Sequence, residues 1–139
     1  MTPQILKKNS ADFALEFVDC INCHDLPGLA RMMAEDLLFV DGLGQEIRGR
    51  REVEKGWRAY FNWFPDYSIQ VDESFSNGQY AGLFGYAQGT YRLDGKLTLE
   101  NRWRIPAAWK ARVRDGCISE WRIYADNEPV WKIMRVKRY

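Results

Sequence analysis

The sequence predicts an α+β fold: three N-terminal helices packed on one face of a highly curved, mostly antiparallel sheet. Three observations carry that reading. Apolar residues recur at the helical period in the first half of the chain, and they alternate at period two from Tyr67 onward. Hairpin signals at Asn77-Gly78, Asp94-Gly95 and Asp115-Gly116 punctuate the second half. Helices first and a meander second is the order of an α+β domain. No repeat, low-complexity tract or linker divides the 139 residues, so residues 1–139 are expected to form one domain with its core over about 10–130.

Asn9 or Ser10 can cap a first helix whose apolar residues Phe13, Phe17 and Ile21 recur every four positions, with Ala14 and Val18 beside them. Asn22 to His24 end it, and Asp25 caps a short second helix with Pro27 in its first turn. "LLFVDG" predicts a buried strand closing in a turn at "GLGQ", with "EIRG" as a short return strand. The next segment, "REVEKGWRAYFNWF", is helical, placing Val53, Trp57, Tyr60, Phe61 and Phe64 on one face until "FPD" stops it. Strands follow: Tyr67, Ile69 and Val71 alternate; residues 80–93 are glycine-rich; Leu97 to Arg114 keep one parity; and "CISEWRIYAD" closes the sheet. Pro106 marks an edge or a bulge. The tail "KIMRVKRY", with four charges in eight residues, reads as a solvated end.

Charge is balanced, 20 basic against 19 acidic residues, so no footprint for nucleic acid is present. The start "MTPQILKKNSADF" lacks an apolar signal core, and no run of about 18 apolar residues occurs, which predicts a soluble cytoplasmic protein without membrane contact. Aromatics make up 14% of the chain and include six tryptophans, more than a small core needs, which suits an apolar pocket or a subunit interface.

"CINCH", Cys20 to His24, has the spacing of c-type haem attachment, and with Cys117 it would make a Cys₃His zinc set. Haem attachment follows export, for which no signal is present, and Cys117 stands alone without a second short-spaced pair. Three cysteines, an odd number, fit reduced thiols rather than a disulfide framework. The cysteines are therefore read as helix packing, with no metal and no cofactor. His24 sits favourably at the negative helix pole.

The helix end "NCHDL", the strand and turn "FVDGLG", the glycine before the third helix, "FPDYSIQV" and "RVRDGCISEWRIYAD" occur in an order that resembles the SnoaL-like group of the nuclear transport factor 2-like superfamily. That group includes polyketide cyclases and, more distantly, ketosteroid isomerases and limonene-type epoxide hydrolases. The resemblance covers roughly residues 10–130. It implies a cone in which the sheet wraps a long helix and encloses an apolar pocket, and a homodimer built on the outer face of the sheet. At "CINCH" the relatives carry a small residue, often asparagine, and a "HD" or "GD" step, which agrees with the packing role of the cysteines.

Asp41 follows four apolar residues, so the chain leads it from the core toward a rim; by itself it is a common turn former. The resemblance gives it the position of the ketosteroid isomerase general base. Asp126 closes the last strand and by itself opens the turn "DNEP"; the resemblance gives it the position of the polyketide cyclase acid–base aspartate. Two such carboxylates converging in an apolar cavity would have their pKa values pushed apart, giving one acid and one base. Where ketosteroid isomerases hold an enolate oxygen, this chain has Phe17 and Trp109, of which only the indole N–H can donate. This argues against steroid isomerisation. "AAW" at 107–109 lacks two members of the epoxide hydrolase Asp-Arg-Asp set.

The expected site thus has Asp126 and Asp41 as catalytic candidates, with Phe17, Trp57, Tyr60, Phe61, Trp103, Trp109 and Tyr124 around the ligand. Arg102, Arg104 and Arg122 are expected to be solvated or paired across strands. The expected function is cofactor-independent isomerase, cyclase or dehydratase chemistry on an apolar, carbonyl-bearing small molecule. The alternative is a non-catalytic ligand-binding or dimeric interaction module.

Overall fold

The computed structural model describes residues 7–136. Helix α1 (Ser10–Asn22) starts in a capping box: the Asn9 side chain accepts from the Asp12 N–H, and the Asp12 carboxylate accepts from the Asn9 N–H at 3.0 Å. Ala14, Phe17 and Ile21 on its apolar face are completely buried. Helix α2 (Leu26–Met32), capped by Asp25, runs directly into strand β1 (Met33–Val40). Then follow β2 (Glu46–Arg48), α3 (Arg50–Trp63), β3 (Ser68–Asn77), β4 (Tyr80–Thr90), β5 (Arg102–Arg114), β6 (Cys117–Ala125) and α4 (Glu128–Val136). The six strands form one sheet in the order β2-β1-β6-β5-β4-β3, antiparallel except where β1 meets β6.

The sequence around "CINCH" ends α1 in a Schellman motif: the Asp25 N–H reaches the Cys20 carbonyl and the His24 N–H the Ile21 carbonyl, both at 2.9 Å. The residue that must turn left-handed is His24, with φ 51°, a position usually given to glycine. Its ring does work a glycine could not. It stacks on Phe61 at 4.0 Å, and its Nε2–H donates to the Tyr67 carbonyl at 2.8 Å. Next to it, Asn22 bonds both backbone groups of Ile69: Oδ1 accepts from the N–H at 2.8 Å and Nδ2 donates to the carbonyl at 3.0 Å. The end of α1 thereby acts as a partner for the first residues of β3. Cys20 is half-buried with its sulfur 3.9 Å from that of Met32, and burial followed by the nearby Asp25 pushes its thiol pKa up.

The sheet bends where β3 holds an extra residue. Val71 pairs with Gly85, but Phe84 pairs with Glu73, so Asp72 is bulged out. At this point the backbones nearly touch: a Cβ on Gly85 would lie 1.9 Å from the Gln70 carbonyl oxygen. The concave face thus made is lined along β5 by Trp103, Ile105, Ala107, Trp109 and Ala111, all buried, and α1 touches β3, β4, β5 and β6. Asp115-Gly116 makes the tight turn before β6 with φ of 52° and 74°, both residues left-handed. Pro106 lies inside β5, yet β6 ends at Ala125 opposite Ala107, so the proline faces no strand on that side.

Three expectations need correction. The strand expected over 80–93 stops at Thr90, and the one expected from Leu97 begins at Arg102. Between them lie a bridge of Leu93 with Lys96 and a 3-10 turn, Leu99–Asn101, and Leu97 and Leu99 are exposed despite sharing the parity of β5. The tail is not simply solvated: residues 128–136 form α4, which buries Val130 and packs Ile133 and Met134 against the core. Among the described residues the three expected N-terminal helices are thus joined by a fourth after the sheet; Lys137, Arg138 and Tyr139 of the expected tail lie outside the described residues.

Two predictions concern this framework. Gly85→Ala forces a methyl onto rigid backbone and is expected to lower stability by at least about 3 kcal/mol in urea unfolding, whereas Gly56→Ala on α3, where the added Cβ meets nothing within 4 Å, should raise it by about 0.5–1 kcal/mol. Asn22→Ala strands two backbone groups of Ile69 and should cost about 1–3 kcal/mol by the same measurement.

Candidate functional site

The concave face of the sheet, α3 and α4 surround a cavity of about 450 Å³, a size that holds a small organic molecule. Its wall is overwhelmingly apolar. Trp57, Tyr60, Trp63 and Phe64 come from α3 and its end, Trp103, Ile105, Ala107 and Trp109 from β5, and Val130, Trp131 and Met134 from α4. The aromatic rings brace one another: Trp57 lies 5.4 Å from Phe61, and Phe64 meets Trp103 edge-on at 5.2 Å.

Polar groups on the wall are few. Asp41 is the only carboxylate among the lining residues and Asn127 the only amide. Asp41 is half-buried in the turn after β1, and its Oδ1 accepts from the backbone N–H groups of Leu43 and Gln45, each at 2.9 Å. The turn and the end of β6 abut, since a Cβ on Gly42 would come within 2.9 Å of the Ala125 carbonyl and 3.0 Å of Asn127 Nδ2. Tyr60 and Tyr67 place two phenols in the wall, with ring centroids 4.8 Å apart and planes at 87°. Burial pushes both phenol pKa values up, so these groups stay protonated donors. The indole N–H groups of Trp57, Trp103 and Trp109 are sealed within the wall and meet no acceptor.

The structure sorts the expected site residues. Asp41, Trp57, Tyr60, Trp103 and Trp109 line the cavity. Phe17 does not; it is fully buried behind the wall, 4.8 Å from Trp121. Phe61 faces His24 and Trp57. Tyr124 and Asp126 are exposed and outside the lining. The reason is parity. Trp121 is buried, Ile123 and Ala125 follow it inward at period two, and the next inward position is Asn127. Tyr124 and Asp126 fall between them and face out. The two carboxylates are thus not brought into one cavity; instead Asp126 Oδ1 accepts from the Glu128 N–H in the turn that leads into α4.

Sequence reasoning missed Asn127, Tyr67 and the contribution of α4. The first was legible in the parity of Trp121, Ile123 and Ala125. The last carried a signal in Val130, Trp131 and Met134, spaced as one helical face. Of the three arginines, Arg122 lies 3.6 Å from Glu120, and Arg104 stacks over Tyr86 at 3.9 Å while donating to Gln70.

Comparison with known proteins agrees with this architecture. A polyketide cyclase from Xanthomonas campestris, provisionally so named, superposes with a TM-score of 0.78 at 17% identity over 89% of this chain and 96% of its own. A protein from Shewanella putrefaciens, provisionally named a SnoaL-like polyketide cyclase, superposes with a TM-score of 0.76 at 14% identity over 99% and 97%. An LEH-like epoxide hydrolase from M. tuberculosis gives 0.75 at 16% identity over 93% and 91%. At such identities the likeness establishes the fold alone. No curated protein matches the chain. The SnoaL-like domain profile matches residues 14–121, spanning α1 through most of β6 and hence most of the cavity wall, and the chain belongs to the SnoaL-like domain family.

Proposed function

We propose that this protein is a cofactor-independent enzyme that moves a proton on an apolar, carbonyl-bearing small molecule held in the cavity, as an isomerase or cyclase does. The observation that carries this reading is the placement of Asp41, the only carboxylate on an apolar wall among the described residues. Two backbone amides hold its Oδ1 in place, and Oδ2 is left to take and return a proton. A substrate lies against the aromatic wall that includes Trp57 and Trp109, with its acidic C–H toward this carboxylate. The reaction uses one carboxylate rather than two, and α4 supplies Trp131 and Met134 to the wall. The second reading is a ligand-binding module without turnover. It is favoured by the outward position of Asp126, which leaves no second carboxylate to share the work.

The outer face of the sheet supports a homodimer. Phe75 and Phe84 are exposed there and meet edge-on at 6.0 Å, with Tyr80 and Tyr124 also exposed on strands of the same sheet. Arg112 and Lys110 lie over the Tyr80 ring, giving the polar rim that a two-fold contact needs.

Two outcomes are expected. In D₂O the protein should catalyse exchange of the α-hydrogens of 2-tetralone, followed by NMR, and Asp41→Asn should slow that exchange by roughly 10²–10⁴-fold while 2-tetralone binding, read by tryptophan quenching, changes little. Binding without any exchange above buffer would select the module reading. Sedimentation velocity at micromolar concentration should show a dimer, which Phe84→Glu converts to monomer; a monomeric native protein removes the claim.

A further inference from the structure

Tyr67 is 96% buried on the wall of an apolar cavity, at 4% exposure, and among the described residues its hydroxyl makes no hydrogen bond within the protein. The same holds for the hydroxyl of Tyr60, whose ring meets that of Tyr67 edge-on at 4.8 Å. Neither hydroxyl oxygen is sealed off as the indole N–H groups of the wall are, so each can be reached by water or a ligand, and a ligand that covers one without pairing it forfeits the cost of its desolvation. Here nothing from the protein meets them. From this juxtaposition of two unpartnered phenols in one apolar wall we infer that Tyr60 and Tyr67 together form the site that receives the acceptor oxygen of the ligand, a carbonyl or the enolate derived from it.

The inference rests on the reading of the cavity as a small-molecule site and adds to it the part of the ligand that is recognised. Water in an empty cavity can meet the demand of the two hydroxyls. A ligand that displaces this water must supply an oxygen of its own or lose the difference. Hydrocarbons therefore fill the cavity poorly, and ketones well.

The surrounding structure holds Tyr67 still. Its N–H donates to the Phe64 carbonyl at 3.0 Å, its carbonyl accepts from His24 at 2.8 Å, and its ring packs 6.0 Å from Trp103. Two residues on, Ile69 is held by Asn22 through both its backbone groups. Fixed donors aimed at a point where charge develops are what stabilise an enolate oxygen, since they need no reorganisation during the reaction. Burial keeps both phenols protonated, and an ionised Tyr60 would push Tyr67 further up, so the pair acts as neutral donors. The positions at which the ketosteroid isomerase resemblance would place donors hold Phe17 and Trp109. The two tyrosines supply from α3 and the approach to β3 what those positions do not.

The test compares 2-tetralone with tetralin, which has the same shape without the oxygen, by tryptophan quenching of the native protein and of Tyr60→Phe, Tyr67→Phe and the double variant. Each single change is expected to weaken 2-tetralone binding by roughly five-fold, the ordinary worth of one hydrogen bond, and to leave tetralin binding within about two-fold. Retained tetralin affinity also shows that the variants are folded. If tetralin binds and the variants leave 2-tetralone affinity unchanged, or weaken both ligands alike, the donor pair is overturned and the apolar cavity stands. If neither compound binds the native protein, the small-molecule reading fails and the inference falls with it.

Discussion

The architecture depends on one close approach of backbone to backbone. Where β3 bulges at Asp72, only the missing side chain of Gly85 allows β4 to lie against Gln70. An ordinary twisted sheet would cover a helix on one side and leave the other side open to water. Bent at this bulge, the same six strands give a concave face deep enough to bury α1 at one end and to enclose a cavity at the other. The apolar rows of β4 and β5 then become core where they meet α1 and pocket wall where they do not. Leu83 and Ala111 are fully buried or nearly so, while Trp103 and Ala107 line the cavity.

Such a bend needs its open edge tied down. Strand β3 is the last of the sheet, and its first residues would otherwise present unpaired backbone groups on one side. The end of α1 fills that role. Asn22 imitates a neighbouring strand by bonding both backbone groups of Ile69, and His24 takes the carbonyl of Tyr67. The left-handed backbone of His24 costs on the order of 1 kcal/mol, offset by the stacked contact with Phe61 and the hydrogen bond. A motif that has the spacing of a haem site thus serves to join a helix end to a strand edge.

The cavity that results has a simple chemical character: a large aromatic and aliphatic wall, one carboxylate, one amide and two phenols. A fold does not fix a function, so what such a cavity can do rests on these few groups and their placement. A carboxylate fixed by turn amides and two phenols that burial keeps neutral share this one apolar wall. Asp126 illustrates how small a difference excludes a residue from such a site. It is adjacent in sequence to Asn127, which lines the cavity, yet it faces solvent.

The periodicities in the sequence determined the class of fold, the order of its elements and most of the buried faces, because hydrophobic alternation is imposed by the same pleat and helical pitch that build the structure. Turns at Asp115-Gly116 and Asn77-Gly78 and the cap at Asn9 were legible for a similar reason: their chemistry is local. What depended on tertiary contacts was not legible. Alternation continues from Leu97 through a segment that turns as a 3-10 helix at Leu99–Asn101 before β5 begins, with Leu97 and Leu99 exposed. The helix at 128–136 was missed because its charged residues outweighed an apolar face that becomes meaningful only beside a cavity. Above all, sequence placed aromatics near the pocket without dividing wall from core. Phe17 and Trp109 are both buried, and only the curvature of the sheet decides that one packs behind the wall and the other lines it.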